Sequence, residues 1–259
     1  MEKITFIGLG KLGLPLAALL AKANHKIFAV DKNEDTLSSL KLKRLPFYEK
    51  DLEDLFKDSF YNFCELSNKL SDCIYKTDTI LILVNTQDLN GGYSSKNVES
   101  VVKDIAKEIS KKSSYTTVII SSTVPPGSIT KLIKILEKNS GKTHSVDFGF
   151  AYVPDFVRLG MTIEDFSNPE FFLVGSSDEK SYKKTIDIFK LIHKNKCPYI
   201  KLTFEECEIA KVSLNAYVVA KISFANYISL LCEEVEGVKP AKILNAIGHD
   251  SRISKRFFS

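Results

Sequence analysis

Residues 8–13 read "GLGKLG" and lie between a short apolar run, "KITFI", and the helical pattern "LPLAALLAKAN". Three glycines at that spacing, entered from a buried strand and left into a helix, commit the chain to a βαβ beginning. The next run, "KIFAVD", reads as a second buried strand and ends in Asp31, eighteen residues past Gly13. In this setting Gly8 permits a tight turn and Gly10 lets the backbone approach a pyrophosphate. Gly13 lets helix and strand pack closely, with the diphosphate at the helix N-terminus. Asp31 is placed to accept hydrogen bonds from an adenosine ribose and to repel a 2′-phosphate, which favours NAD over NADP. Lys32 beside it softens that preference. The plain alternative is a glycine turn that holds no ligand.

The rest of the chain continues the same rhythm. "TDTILILV" and "TTVIIS" are continuous β-rich runs, as in parallel strands covered on both faces. Helical stretches separate and follow them, and "DFGFAYV", "EFFLVG", "EKSYKKTIDIFKLIHK" and "PYIKL" complete the alternation. This predicts an α/β fold, a doubly wound Rossmann-type parallel sheet. At Thr203 the pattern changes. "TFEE" matches a capping box, with Thr203 as N-cap and Glu206 reaching back to it. No proline or glycine then interrupts a helical pattern up to Glu236. A helix of about 45 Å is longer than one sheet needs as cover, and it reads as a spine or dimer surface. Pro240 opens one more short helix. The expected domains are therefore 1–203, a NAD-binding Rossmann-like domain, and 204–259, a helical region suited to dimerisation.

Bulk properties narrow the partners. Of 259 residues, 44% are hydrophobic and 26% charged, an ordinary globular balance. The net charge of +4 is too small and dispersed to argue for nucleic acid. The longest apolar runs are too short to span a bilayer, and no signal peptide precedes the first strand. Five cysteines, with no CxxC pair, read as reduced thiols of a cytoplasmic protein. The four histidines show no metal-ligand spacing.

Three further stretches carry polar groups where ligands bind. "SSTVPPGS" sets Thr123 at a strand C-terminus, or is an ordinary Pro-Gly turn. "AYVPDFVRLG" sets Asp155 and Arg158 after another strand end, or is a surface loop. In the long helix Lys211 and Asn215 are i, i+4 on one face of a largely apolar segment. A lysine and an amide side by side can stabilise an alkoxide or oxyanion formed during hydride transfer; the alternative is a solvated face. Lys221, further along, reads as a surface residue.

Taken together, "GLGKLGLPLA", "VDKN", "LPFYEKDLEDLF", "TDTILILVNT", "SSTVPPGS", "YVPDFVRLG", "EIAKVSLNAYVVAKISFANYISLLCEE" and "IGHDSRI" resemble the UDP-glucose/GDP-mannose dehydrogenase family, in order and over essentially the whole chain. The resemblance implies NAD-dependent oxidation of the C6 alcohol of a nucleotide sugar, such as a UDP-sugar, to the acid. Two steps are linked by a cysteine thioester, and the products feed surface polysaccharide synthesis. It implies a catalytic lysine at Lys211, an oxyanion-binding asparagine at Asn215, and a threonine at Thr123 that positions water and the nicotinamide. Asp155 stands where a glutamate is usual. Gly8, Gly10, Leu12, Gly13, Asp31, Thr86 and Thr123 would contact the cofactor. Asp155, Phe156, Arg158, Lys211, Asn215 and Arg252 would contact the sugar nucleotide, Arg252 reaching the neighbouring subunit of a homodimer built on the 204–236 helix.

The departures are specific. Leu159 stands where many members have a second glutamate, and Thr86-Gln87 replaces the usual Thr-Pro. Members continue past the "DSRI" motif into a glycine-rich loop with the nucleophilic cysteine, and then into a nucleotide-binding domain. The expectation is a chain that binds NAD and dimerises but does not turn over alone. Two other readings stand beside it: a complete β-hydroxyacid dehydrogenase resembling 6-phosphogluconate dehydrogenase, and a non-catalytic, dimerising NAD-binding remnant.

Overall fold

The structure, a computed structural model, describes residues 1–88 and 91–254, without the Asp58 side chain. It divides into two compact units, Met1–Ile209 and Ala210–Ser259. In the first, β1 (Lys3–Ile7), α1 (Gly13–Lys22), β2 (Lys26–Val30) and α2 (Glu34–Lys41) follow the glycine-rich opening. Then come α3 (Leu52–Leu55), a π-helical turn (Phe56–Phe60), α4 (Tyr61–Phe63), β3 (Cys64–Ser67) and α5 (Leu70–Ile74). The alternation resumes with β4 (Thr79–Ile82), α6 (Lys96–Ile109), β5 (Thr116–Ile120), α7 (Ser128–Ser140) and β6 (Phe148–Tyr152). It closes with α8 (Thr162–Ser167), β7 (Phe172–Ser176), α9 (Glu179–Lys190), β8 (Tyr199–Leu202) and the start of α10 (Phe204–Glu233).

The strands form one sheet in the order β3-β2-β1-β4-β5-β6-β7-β8. The central strands are covered by helices on both faces. Every residue of β4, β5 and β6 is buried, which is why their sequences are continuous apolar runs and not alternating ones. The order reverses between β1 and β4, so the crevice at their C-terminal ends is a topological switch point.

The sheet is not parallel throughout. β7 runs antiparallel to β6, pairing Ala151 with Ser176 and Tyr152 with Gly175, and β8 is parallel to β7. A parallel crossover needs a helix long enough to cover the sheet. The only helix between β6 and β7 is the six-residue α8, and it packs against α1. The chain therefore turns back beside β6. Because β7 meets only the last two residues of β6, Leu202 at the end of β8 is level with Tyr152, through Gly175. The edge strand β3 has no apolar signature and is mostly half-exposed.

The caps are local and legible. Asn33 Oδ1 accepts the Thr36 N–H at 3.1 Å at the start of α2. Thr203 and Glu206 form the reciprocal box, at 2.7 Å from the Thr203 N–H to Glu206 Oε2 and 3.2 Å from the Glu206 N–H to Thr203 Oγ1. The helix they start, α10, ends at Glu233, three residues before the expected Glu236. At 30 residues it is long and apolar enough, by length and composition, to cross a bilayer, which the short apolar runs did not suggest.

The second unit holds the rest of α10, then α11 (Pro240–Ile247) and the "GHDSRI" turn. Lys221 is more than a surface residue. It is half-buried, and its ammonium donates to the Ile253 and Ser254 carbonyls at 2.9 and 3.2 Å.

Two measurements test this packing. Leu81 is fully buried at the sheet centre, so Leu81→Ala should lower the unfolding free energy by about 2–5 kcal/mol, read from a denaturant midpoint. Burial pushes the His193 imidazole down to about 4. Neutral His193 thus contributes stability that is complete above its unfolded value of roughly 6.5 and is lost as pH falls toward 4. Thermal midpoints should drop across that window, and His193→Gln should flatten the drop.

Candidate functional site: a dinucleotide cradle at the switch point

The first βα turn is built by backbone touching backbone. Gly8 has φ +103°, and a Cβ there would stand 2.2 Å from the Leu83 carbonyl oxygen. A Cβ on Gly13 would stand 2.1 Å from the Gly8 carbonyl oxygen. These two glycines are required by the fold itself. Gly10 is different, since a Cβ there would meet nothing within 4 Å. No protein atom asks for its bareness, so a ligand's close approach is the physical reason left for it.

A cavity of about 560 Å³ opens there, lined by Gly8, Gly10, Asp31, Asn33, Asn68 and Asn85 among others. Asp31 Oδ2 accepts the Leu9 N–H at 2.6 Å, and Oδ1 accepts the Asn33 N–H at 2.8 Å. Each carboxylate oxygen keeps a second acceptor position, enough for two ribose hydroxyls. α1 begins with no side-chain cap and no acid in its first turn, which leaves its N-terminal dipole available to an anion. An uncapped helix start, a bare Gly10 and an anchored acid fit a dinucleotide.

The adjoining strand ends are stitched by serines. Ser122 Oγ accepts the Val84 N–H at 2.8 Å and donates to the Val84 carbonyl at 2.9 Å, joining the ends of β4 and β5. Ser121 Oγ donates to the Val153 carbonyl at 2.8 Å, joining β5 to β6. Thr86, Thr123 and Asp155 follow those junctions and are each less than a tenth exposed. They stand along the same C-terminal edge, and none of them lines the 560 Å³ cavity.

Other expected residues sit differently. Leu12 is half-buried against the core, and Phe156 packs on Phe171 with centroids 4.9 Å apart. Arg158 is clasped by Asp165, Nε to Oδ2 at 3.0 Å and Nη2 to Oδ1 at 2.6 Å. Leu159 is 65% exposed. In the second unit Lys211 is buried and Asn215 half-buried, and Arg252 is clasped by Asp250 at 2.6 Å. Among the described residues no cluster of three or more His, Cys, Asp or Glu could hold a metal ion.

Two buried acids carry structure that sequence reasoning missed. Glu49 accepts the Gly160 and Thr162 N–H groups at 3.1 and 2.8 Å and so fixes the loop after Asp155. Glu208 accepts the Gly127 and Ile129 N–H groups at 2.6 and 2.8 Å. Burial holds its carboxyl above the ordinary range, opposed by those two N–H groups. The one signal available was at Glu208, an acid between Cys207 and Ile209.

The three glycines should separate by experiment. Gly10→Ala is expected to leave the thermal midpoint unchanged and to weaken NADH binding about tenfold or more, because only the ligand's space is taken. Gly8→Ala should lower the midpoint as well. Calorimetric unfolding and NADH titration of both variants check this.

Comparison with known proteins places the chain. The NAD-binding-domain model of the UDP-glucose/GDP-mannose dehydrogenase family matches residues 2–193, and that family's central-domain model matches residues 205–259. The chain is 29% identical over 260 residues to a UDP-glucose 6-dehydrogenase of Rhizobium meliloti (strain 1021), covering 98% of this chain and 58% of that protein. It is 32% identical over 259 residues to the UDP-glucose 6-dehydrogenase TuaD of Bacillus subtilis (strain 168), covering 99% and 54%. A ternary complex of GDP-mannose dehydrogenase from Pseudomonas aeruginosa superposes with a TM-score of 0.91 at 27% identity, covering 99% of this chain and 59% of that one. The chain thus spans little more than half the length of these relatives. With a family model over most of its length and a second over the remainder, the chain belongs to the UDP-glucose/GDP-mannose dehydrogenase family.

Proposed function

We propose that this chain supplies the NAD-binding and alcohol-oxidising part of a nucleotide-sugar 6-dehydrogenase acting on a UDP-sugar, with UDP-glucose as the first candidate. The observation that carries this reading is the cradle of bare Gly10, uncapped α1 and anchored Asp31, in a chain of this family. Bound NAD supplies the hydride acceptor. Gly8, Gly10 and Gly13 shape the turn that receives its diphosphate, with Leu12 beside it. Asp31 holds the adenosine ribose, and Thr86 and Thr123 face the nicotinamide end. Lys211 and Asn215 stabilise the negative oxygen that develops as the C6 alcohol loses its proton. Asp155, Phe156, Arg158 and Arg252 orient the sugar nucleotide, and Arg252 does so for a second copy.

The thiols limit what this chain does alone. Oxidation of an aldehyde to an acid through a thioester needs an activated, accessible thiolate. Cys73, Cys207 and Cys232 are buried, and burial pushes the thiols of Cys64, Cys73, Cys197 and Cys207 up, that of Cys207 to about 12. Thiols raised in this way are poor nucleophiles at neutral pH, so on this reading the cysteine of the second step is none of these four. Reduced thiols also suit a cytoplasmic protein.

The exposed Tyr217, Ile222, Phe224 and Leu230 of α10 suit a homodimer. The same helix carries the polar Asn215 together with Lys211 and Lys221, each of which costs about 2.5–3.5 kcal/mol at a bilayer centre when charged. A second copy is therefore the better cover.

The test is NADH formation with UDP-sugars, first with this chain alone and then with the C-terminal half of a related enzyme added. Silence alone and activity on addition are expected. Oxidation of a small hydroxyacid by this chain alone would overturn the reading in favour of a complete β-hydroxyacid dehydrogenase. NADH binding with silence in both arms would favour a non-catalytic remnant.

A further inference from the structure

Glu208 takes no part in the chemistry above, yet its side chain is 0% exposed. A carboxylate is not buried without compensation. Here the compensation is the start of α7, 79 and 81 residues away in the chain. That helix has no cap of its own. Its N-cap is Gly127, at φ +83°, with no side chain to offer, and its first turn holds no acid. Glu208 Oε2 takes the Gly127 N–H at 2.6 Å and Oε1 takes the Ile129 N–H at 2.8 Å. The acid also meets the positive end of the α7 dipole.

The segment between β5 and α7 carries Thr123. It is fixed at one end by the Ser121 and Ser122 hydroxyls, bonded to Val153 and Val84. At the other end the Ser128 N–H bonds the Pro125 carbonyl at 3.1 Å, and Glu208 holds Gly127 and Ile129. Among the described residues, the hydrogen bonds of Glu208 go to the start of α7, and none goes to Gly8, Gly10 or Asp31.

We propose that Glu208 is a positioning residue, setting the Thr123 loop for the nicotinamide half of bound NAD while leaving the adenosine half independent of it. This rests on the reading of the site as a NAD site with Thr123 at its nicotinamide end. Glu208→Gln has nearly the same shape. Its amide nitrogen would face an N–H donor, so one of the two bonds is lost and the loop loosens.

The experiment titrates NADH and ADP-ribose against the full chain, its Glu208→Gln variant and a Glu205→Gln control. Among the described residues, Glu205 accepts one exposed hydrogen bond, from the Thr130 hydroxyl at 2.7 Å. For Glu208→Gln the NADH dissociation constant should rise about tenfold, the loss expected when a buried charge-assisted bond is removed. Its ADP-ribose constant should stay within about twofold, and Glu205→Gln should change neither. Glu208→Asp, which keeps the charge but reaches only one N–H, should show the same split more weakly, and it serves if Glu208→Gln does not fold. Parallel weakening of NADH and ADP-ribose would overturn the inference in favour of general destabilisation. Unchanged NADH affinity would overturn it outright and leave the cofactor assignment standing. A wild-type chain that binds neither ligand would overturn both.

Discussion

The cofactor end of the first unit depends on one contact, the approach of the Gly8 backbone to Leu83 on one side and to Gly13 on the other. Both spaces are about 2 Å wide where a Cβ would go. That contact fixes how close α1 lies to the sheet, and so where its uncapped N-terminus points. It also brings β4 alongside β1 at the switch point, which opens the cavity. Hydrophobic burial of α1, whose helical residues are buried from Gly13 to Ala21, holds the arrangement shut. Gly10 and Asp31 then need only be present on a backbone already in place.

Further along the same edge the means of positioning change. Hydroxyls and carboxylates replace bare backbone. Ser121 and Ser122 tie three strand ends together, while Glu49 and Glu208 each accept two backbone N–H groups at a helix start. Loops cannot be packed rigid by apolar contact alone, because their backbone groups must be bonded. The residues expected to meet cofactor and sugar lie directly after these ties.

Much of this was legible in the sequence. The glycine spacing with Asp31, the continuous apolar strands and the Thr203–Glu206 box are local patterns, and local patterns survive folding. β3 was not legible, because "CELS" mixes polar and apolar residues at a half-exposed edge. The reversal at β7 was not legible either, since side-chain periodicity carries no strand direction. Glu49 and Glu208 were missed for a related reason. Their partners are N–H groups 79 to 113 residues away, and a backbone N–H leaves no mark in a sequence. Arg158 was expected at the sugar nucleotide, and only the fold brings Asp165 against it.

The reversal of β7 has a consequence for the order of assembly. By slipping β7 and β8 outward, it brings the end of β8 level with the end of β6, and α10 starts there. The bare α-carbon of Gly175 lets Phe204 and Cys207 come close. Glu208 can reach α7 only once β5, β6, β7 and β8 are all paired, closing a loop of about eighty residues. Contacts of such long range carry the largest closure entropy and form late. The Thr123 loop is thus the part of this edge that becomes rigid late in folding.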